Sequence, residues 1–325
     1  FRKYEFIDAD LLEVVIDNNK LDVSIKIKES EKYYVEKINV FGNQFTLEEV
    51  IRNTFVIDEG DPYNELLFNK TINKLKSKGY FKTVNSNIVN GSADNLKILE
   101  ITVEEKPTGE ISAGAGVGTS GASLGFGVKE NNFLGKGISL DTALELSATT
   151  IKGQFIYSKP NFNYTDNTLF TSISSTTTDG LTDFGYKTSK VGTSIGTRFQ
   201  QYENLYFGPT IATSFENLKT TTTASDSLQK QKGKYTDVYF NYSLDYDLRN
   251  QSYQTSDGFR NLFIQEIPLY SESKEITNKI QSNFYKKPFQ SSDMIFRSQF
   301  YASTVHSLGD KDVRISKRLY IPQSK

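Results

Sequence analysis

Few residues in this sequence have the types and spacing to do chemistry. Gly116-Val-Gly-Thr-Ser-Gly121 fits the G-x-G-x-x-G spacing of a dinucleotide loop, and Asp141 follows at the distance where such a loop places its ribose ligand. That chemistry needs a helix to start at the glycines, so that its N-terminus meets the pyrophosphate. Here Ala122, Leu124, Phe126 and Val128 alternate with Ser123, Gly125, Gly127 and Lys129. This is the period of a strand, so no nucleotide is expected. His306 is the only histidine, and there is no cysteine. Histidine metal sites, Ser-His nucleophiles, thiolates, disulfides and Cys-based zinc sites have nothing to be built from. Asp141 and Glu145 share one strand face, where carboxylates usually serve solvation and ion pairing. The sequence therefore predicts no enzyme, no catalytic residue, no metal and no cofactor.

The 325 residues carry 38 Lys+Arg against 39 Asp+Glu, a net charge of −1. No global field draws the chain to nucleic acid, and no nucleic-acid partner is expected. Mean hydropathy is −0.48, and no run approaches the ~18 apolar residues of a membrane helix. Phe1-Arg-Lys-Tyr-Glu5 does not read as a signal peptide. Hydropathy alone suggests a soluble chain, but strands that cross a membrane show lipid only half of their residues. The average also conceals two halves, with 34 charged residues among the first 106 and 43 among the remaining 219. The break falls at Glu104-Glu-Lys-Pro-Thr-Gly109, and Gly, Ser, Thr, Tyr, Phe and Asn dominate beyond it.

The elements needed to position any site differ between the halves. In the first, Leu21–Ile27 and Tyr34–Phe41 alternate as half-buried strands, the second closed by Gly42-Asn43. Thr46 and Glu49 form a capping-box pattern for a helix running to about Phe55. Leu66, Leu67, Ile72 and Leu75 mark a second helix after Asp61-Pro62, with Lys76 and Lys78 near its end and Gly79 as its stop. Val84–Val89 and Leu96–Val103 read as a closing hairpin. The order over 31–106 is β-α-α-β-β, and residues 1–30 read as the tail of a preceding, similar module in a tandem array.

The second half reads as eleven long antiparallel strands, near 109–118, 121–130, 138–148, 151–159, 168–178, 187–199, 205–216, 235–248, 258–270, 276–286 and 293–304. One parity is apolar, as with Val238, Phe240, Tyr242, Leu244 and Tyr246, while Glu145, Arg198 and Arg297 lie on the other. A wet lumen accepts those charges, whereas an Arg facing lipid costs roughly 2–4 kcal/mol at mid-membrane. A soluble sandwich would use strands of about 5–6 residues, half the length seen here. The connections are expected to alternate between short turns (131–137, 160–167, 200–204, 250–257, 288–292) and longer polar loops such as Leu218–Lys234. Tyr157, Phe162, Tyr164, Tyr202, Tyr206, Tyr253, Tyr285 and Phe289 sit near turns, compatible with an interfacial girdle. Bacterial single-chain barrels are almost always even-stranded, so an odd count predicts that this chain is a fragment.

Several motifs carry a family resemblance. Val40-Phe-Gly-Asn-Gln-Phe-Thr-Leu-Glu-Glu-Val-Ile-Arg52, Glu59-Gly-Asp-Pro-Tyr63 and Leu75-Lys-Ser-Lys-Gly-Tyr-Phe81 resemble successive signatures of a POTRA domain. Val103-Glu-Glu-Lys-Pro-Thr-Gly109, with Asn131-Asn-Phe-Leu-Gly-Lys-Gly137 downstream, resembles the POTRA-to-barrel junction of the BamA family of outer-membrane assembly factors. Asp247-Leu-Arg-Asn250 with Thr255-Ser-Asp-Gly258 is similar to a periplasmic turn of that barrel.

The resemblance implies an α+β POTRA module followed by an all-β antiparallel transmembrane barrel, of which about eleven of sixteen strands are present. Residues 1–30 match the end of a preceding POTRA domain, 31–106 the last one, and 107–325 the N-terminal part of the barrel. Lys317-Arg-Leu-Tyr320 would lie in the sixth extracellular loop. The location implied is the Gram-negative outer membrane, with POTRA domains in the periplasm. The implied partners are unfolded outer-membrane clients, lipoproteins of the assembly machinery and membrane lipid.

The implied role is folding and inserting clients by strand pairing at a lateral gate. The gate strand would be Gly109, Glu110, Ile111, Ser112, Ala113, Gly114, Ala115, Gly116 and Val117, weak because glycine packs little side chain. The alternative reading of those glycines is clearance for lumen contents. By the same resemblance Arg52 and Glu59 match lipoprotein-contacting positions; read alone they are a helix charge and a turn residue. POTRA edges are expected to guide clients by strand addition. Two other functions are considered: a TamA-like or two-partner-secretion translocation pore of the same superfamily, and a barrel phospholipase or protease, which the single histidine disfavours.

Overall fold

The computed structural model describes residues 7–17, 20–29, 32–118, 121–250, 255–289 and 294–319, the first two ranges as backbone only. Tyr253, Tyr320, the ring of Tyr164 and most of the 288–292 turn lie outside the described residues. Two compact units divide the chain: residues 1–108 with 131–137, and residues 109–130 with 138–325.

The first unit opens with an antiparallel hairpin, β1 (Ile7–Asp17) and β2 (Lys20–Glu29). The sequence reading placed a strand over only the second arm. Then follow β3 (Tyr34–Phe41), α1 (Glu48–Arg52), α2 (Glu65–Ser77), β4 (Phe81–Asn90) and β5 (Leu96–Glu105). The sheet order is β3-β5-β4, with β3 parallel to β5 and β4 antiparallel to it. Ile38, Ile51, Leu75, Leu99 and Ile101 are buried in one core. Gly42 ends β3 with φ +88°, and a β-carbon there would collide with the Val103 carbonyl, so only glycine serves.

Both helices differ in detail from the expectation. Asn64 caps α2 by accepting from the Leu67 N–H, and Gly79 terminates it in the left-handed region. Thr46 does not cap α1, which begins after Leu47 and lacks a side-chain cap of its own. The approach to α1 instead turns its amides onto Glu105, at the end of β5. The Gln44, Phe45 and Thr46 N–H groups donate to that carboxylate at 3.0, 2.8 and 2.6 Å. The helix stops at Arg52, short of Phe55, because the Thr54 and Phe55 N–H groups turn back to carbonyls three residues earlier.

The second unit is one eleven-stranded antiparallel sheet in sequence order. Its strands are β6 (Gly109–Gly118), β7 (Gly121–Phe133), β8 (Ile138–Ser147), β9 (Thr150–Lys159), β10 (Thr168–Gly180), β11 (Tyr186–Tyr202), β12 (Leu205–Thr220), β13 (Gly233–Asp247), β14 (Gly258–Tyr270), β15 (Glu275–Lys286) and β16 (Phe296–Ser307). All eleven expected strands are present, the last shifted to begin at Phe296 and end at Ser307, and the fold is that of part of a transmembrane barrel wall. The G-x-G-x-x-G string falls in the hairpin of β6 and β7, with strand on both sides.

Register sets the two faces of the wall. Phe155 pairs with Ile173, Ile195 with Ile211, Ile211 with Phe240, and Phe263 with Ile280, so one face is predominantly apolar. The other face carries the charges as pairs. Lys152 meets Glu145 at 3.3 Å, while Arg198 and Arg260 both reach Asp245, at 2.9 and 2.7 Å. His306 sits at the end of β16.

The expected contrast of short turns and longer loops does not hold across the wall. Residues 148–149, 181–185 and 271–274 are shorter than the 160–167 connection on the other side. Only 221–232 is long. It is shorter than the 218–234 loop expected, because β12 and β13 keep pairing as far as Leu218 and Gly233, and a short helix, α3 (Asp226–Gln229), folds within it.

Candidate functional site

The nine residues from Gly109 to Val117 all lie in β6, at one edge of the wall. β6 pairs with β7 from Gly109↔Glu130 to Gly118↔Gly121 and has no second neighbour among the described residues. Ile111 and Val117 stand outward, 86% and 89% exposed. Beyond the Glu110↔Lys129 pair, the inner face of the hairpin is almost without side chains: Ser112 faces Gly127, Gly114 faces Gly125, and Gly116 faces Ser123. Cross-strand side-chain pairs stabilise a hairpin, and over this stretch of the inner face they are missing, while Ile111↔Val128, Ala113↔Phe126 and Ala115↔Leu124 pair on the outer face. The glycines are not forced by backbone or packing. None of 109, 114 and 116 has positive φ, and a β-carbon on Gly114 or Gly125 would meet nothing within 4 Å. Among the described residues, then, clearance does not account for Gly114.

Arg52 and Glu59 come together in the first unit, and they share a third partner. The Ile38 N–H donates to Glu59 at 2.9 Å, while Arg52 Nη2 donates to the Ile38 carbonyl at 2.8 Å. Arg52 also meets Glu59 at 3.3 Å and Glu48 at 2.7 Å. The pair thus satisfies both backbone groups of Ile38 on the outer edge of β3. The neighbouring Val35 is satisfied in both directions by the segment at Gly60-Asp61. The hydrogen bond from Ile38, more than Arg52 itself, holds the Glu59 carboxyl below its ordinary pKa. So β3 is a closed edge, whereas β4 carries no second strand among the described residues. Of the two edges, β4 is the one available for strand addition, beside a groove lined by Lys76, Phe81 and Lys82.

Also within the first unit, the Asn132 side chain is buried. It donates to the Thr46 hydroxyl at 2.8 Å and accepts from the Gly137 N–H at 2.7 Å. The Leu47 N–H bonds to the Gly135 carbonyl at 2.9 Å. Thr46 in turn bonds Glu105. Burial raises that carboxyl's pKa, but the Thr46 hydroxyl and the three amides outweigh it, and the net shift is downward.

The sequence reading missed one cluster altogether. Arg314, beyond β16, is 2% exposed and pairs with Asp237 at 2.6 Å, Glu216 at 3.4 Å and Glu275 at 3.6 Å. Its guanidinium also lies over the Tyr235 ring at 4.5 Å. Ser316 donates to Glu216, and the Ile315 N–H to Gln231. The Lys317 ammonium packs over Tyr239 at 4.2 Å. Buried acids on three separate strands of the charged face (Glu216, Asp237 and Glu275) were the available signal, because charges that deep need a counter-charge from somewhere in the chain. Among the described residues no group of three or more His, Asp or Glu could hold a metal ion.

Comparison with known proteins follows the same division. The Omp85 superfamily domain profile matches residues 132–322, and the surface antigen variable number repeat (POTRA) profile matches 33–106. The outer membrane protein assembly factor BamA of Neisseria meningitidis serogroup B is 28% identical over 149 residues, covering 45% of this chain and 19% of that protein. The BamA of Neorickettsia risticii is 31% identical over 119 residues, covering 36% and 16%. The chain thus spans under a fifth of the length of these relatives. Among solved structures, BamA from Haemophilus ducreyi lacking POTRA domains 1–3 superposes with a TM-score of 0.70 at 20% identity, covering 97% of this chain and 64% of that one. CdiB from Acinetobacter baumannii superposes at 0.54 with 11% identity, covering 94% and 58%. Both are likenesses of fold.

Proposed function

We propose a function from one premise: the chain belongs to the Omp85 superfamily, with a POTRA module followed by strands of an outer-membrane barrel. The module lies in the periplasm and the wall in the outer membrane. The protein serves outer-membrane protein assembly, and its first wall strand is the lateral gate. An incoming client offers an unpaired strand, and the outer edge of β6 offers unpaired N–H and C=O groups to receive it.

The carrying observation is the bare inner face of the β6–β7 hairpin, where Gly114 opposes Gly125 in open space. A strand that lacks side-chain pairs over most of one face bends away at lower cost, and backbone pairing tolerates many client sequences. Exchanging one set of strand hydrogen bonds for another needs no nucleotide and no covalent step, so the role is non-enzymatic. On the module, client segments are guided along the open edge of β4. The outward surface of the Arg52–Glu59 pair, left after it has closed β3, is the docking point for a lipoprotein partner.

Full-length protein in phosphatidylcholine liposomes is expected to speed the folding of an unfolded barrel client without added ATP. If folding is no faster than in empty liposomes, while the wall itself is folded by heat-dependent gel mobility, the assembly reading fails. The fold likeness to CdiB favours a second reading, a translocation pore. That reading requires a soluble passenger to cross the same liposomes.

A further inference from the structure

The outward face of the wall ends in a cluster of lysines where β11, β12 and β13 approach the 181–185 and 221–232 connections. Register arranges the cluster in rows. Asp179, Lys187 and Lys219 lie side by side on β10, β11 and β12, and Thr177, Ser189, Asn217 and Lys234 form the next row, which reaches β13. Both rows share the parity of Ile195, Ile211 and Phe240, opposite to that of Glu216 and Asp237, so they belong to the lipid-facing side. Below them on the same side come Val191, Phe215 and Thr236, then Thr193, Thr213 and Val238, then Ile195, Ile211 and Phe240. Thr193 and Thr213 satisfy each other at 2.8 Å.

The cluster carries more positive charge than its own acids balance. Lys187 and Lys219 are directly opposite, a placement that destabilises like charges. Asp179 meets Lys187 at 2.6 Å, but Lys219 and Lys234 are exposed and have no acidic partner among the described residues. The adjoining connections add Lys230 and Lys232 against Asp183 and Asp226. Hydrogen-bond donors collect at the same height. Ser189 accepts from Thr177 and keeps its own hydroxyl hydrogen, and the exposed edge of Asn217 adds an amide. Elsewhere on the described strands outward lysines stand singly, Lys159 on β9 and Lys286 on β15. Both are at the opposite strand ends, and Lys286 is already paired with Asp257.

We propose that this cluster is a binding site for the phosphate of an anionic membrane lipid, whose acyl chains run down the rows from Phe215 to Ile211. The lysines select negative charge. The apolar surface selects a lipid over a free anion, because Phe215 lies only two residues from Asn217, ~7 Å along the strand. A zwitterionic lipid brings its own cation beside its phosphate, whereas an anionic one leaves its charge to the lysines. The site rests on the wall lying in a membrane and is independent of the gate.

Phe215 is 60% exposed, so a tryptophan there reports on the neighbouring lipid. Full-length Phe215→Trp protein is placed in phosphatidylcholine bilayers in which brominated phosphatidylglycerol or brominated phosphatidylcholine replaces part of the lipid. Quenching, taken as the difference from the parent protein, gives the relative occupancy of the two lipids beside position 215. Phosphatidylglycerol is expected to be favoured about fivefold, the size of one lysine contact at an anionic membrane surface. Lys219→Gln/Lys234→Gln in the same background is expected to remove that preference, and a Phe155→Trp reporter on β9 to show none. Equal quenching by the two lipids at 215, an equal preference at 155, or an undiminished preference in the double variant overturns the proposal. So does loss of the preference on adding inorganic phosphate but not chloride of equal ionic strength, since the site then takes a free anion. Should the double variant not fold, the comparison of the two reporters still decides. Heat-dependent gel mobility and client folding, read on the same samples, separate a failed lipid site from a failed wall or gate.

Discussion

Filling the empty inner face of the β6–β7 hairpin should stiffen the gate and slow client folding. Gly114 and Gly125 oppose each other in register, neither has positive φ, and a β-carbon on either meets nothing within 4 Å. Valine therefore fits at both positions without strain. Each Gly→Val change gains up to ~1 kcal/mol of strand preference, in part by restricting the unfolded chain. The new cross-strand pair adds roughly 0.2–1 kcal/mol. The double variant should thus strengthen the hairpin by about 2–3 kcal/mol, a factor of about 30 to 150 in any step that bends β6 away.

The assay is single-turnover folding of a barrel client by full-length protein in liposomes, with hydrogen exchange over 110–117 in the same samples. Gly153→Val is the control, because Gly153 in β9 also has nothing within 4 Å but lies away from the wall's edge. The double variant should raise amide protection in β6 and slow client folding at least tenfold, while the control changes neither. Raised protection with an unchanged client rate would refute the link between a weak first strand and gating.

Three further outcomes follow from the contacts. Glu105→Gln removes the charge that gathers three amides, costing ~1–2 kcal/mol because the carboxylate is partly solvated; exchange at Gln44, Phe45 and Thr46 should quicken about tenfold. Glu105 and Glu59 are both held below their ordinary pKa, so their contribution is complete above that ordinary value and is lost as pH falls through the depressed one. Acid unfolding of the first unit should therefore be less steep in the Glu105→Gln variant, and an unchanged slope would contradict the assignment. Arg314→Met strands three buried carboxylates and should destabilise the second unit by about 3–5 kcal/mol, read as a lower melting temperature in detergent. Glu216→Gln should recover part of that loss. Arg52→Met uncaps the Ile38 carbonyl and should quicken exchange around β3 while leaving β4 unaffected.

Much of the architecture was legible because it rests on period. Alternation along 109–118 and 258–270 located β6 and β14 to the residue, since one lipid-facing and one wet face leave a two-residue signature at every step. Capping was less legible. The Thr46/Glu49 pattern is local, but the carboxylate that collects the amides before α1 comes from Glu105, about sixty residues away, and no short-range pattern reports it. Loop lengths misled for a related reason: Leu218-Lys219-Thr220 open a run that looks like loop, yet Leu218 continues the β12–β13 ladder and Lys219 and Thr220 pair with β11. Arg52 and Glu59 were singled out by resemblance alone, and their joint grip on Ile38 became visible only in three dimensions. Arg314 carried no motif, and its meaning comes from acids on three strands that sequence spacing does not bring together.

The gate itself is tested most directly by cysteine pairing between β6 and the last strand of a client stalled during insertion, in full-length protein within the membrane. Cysteines placed one at a time from Glu110 to Val117 are each challenged with a fixed cysteine on the client. Disulfides should form in one register, strongest at positions such as Ile111 or Ala113, and fade with distance along β6, while cysteines at Leu124 or Phe126 of β7 give none. Absent β6 disulfides with client folding intact, or equal yields from β7, would contradict the account.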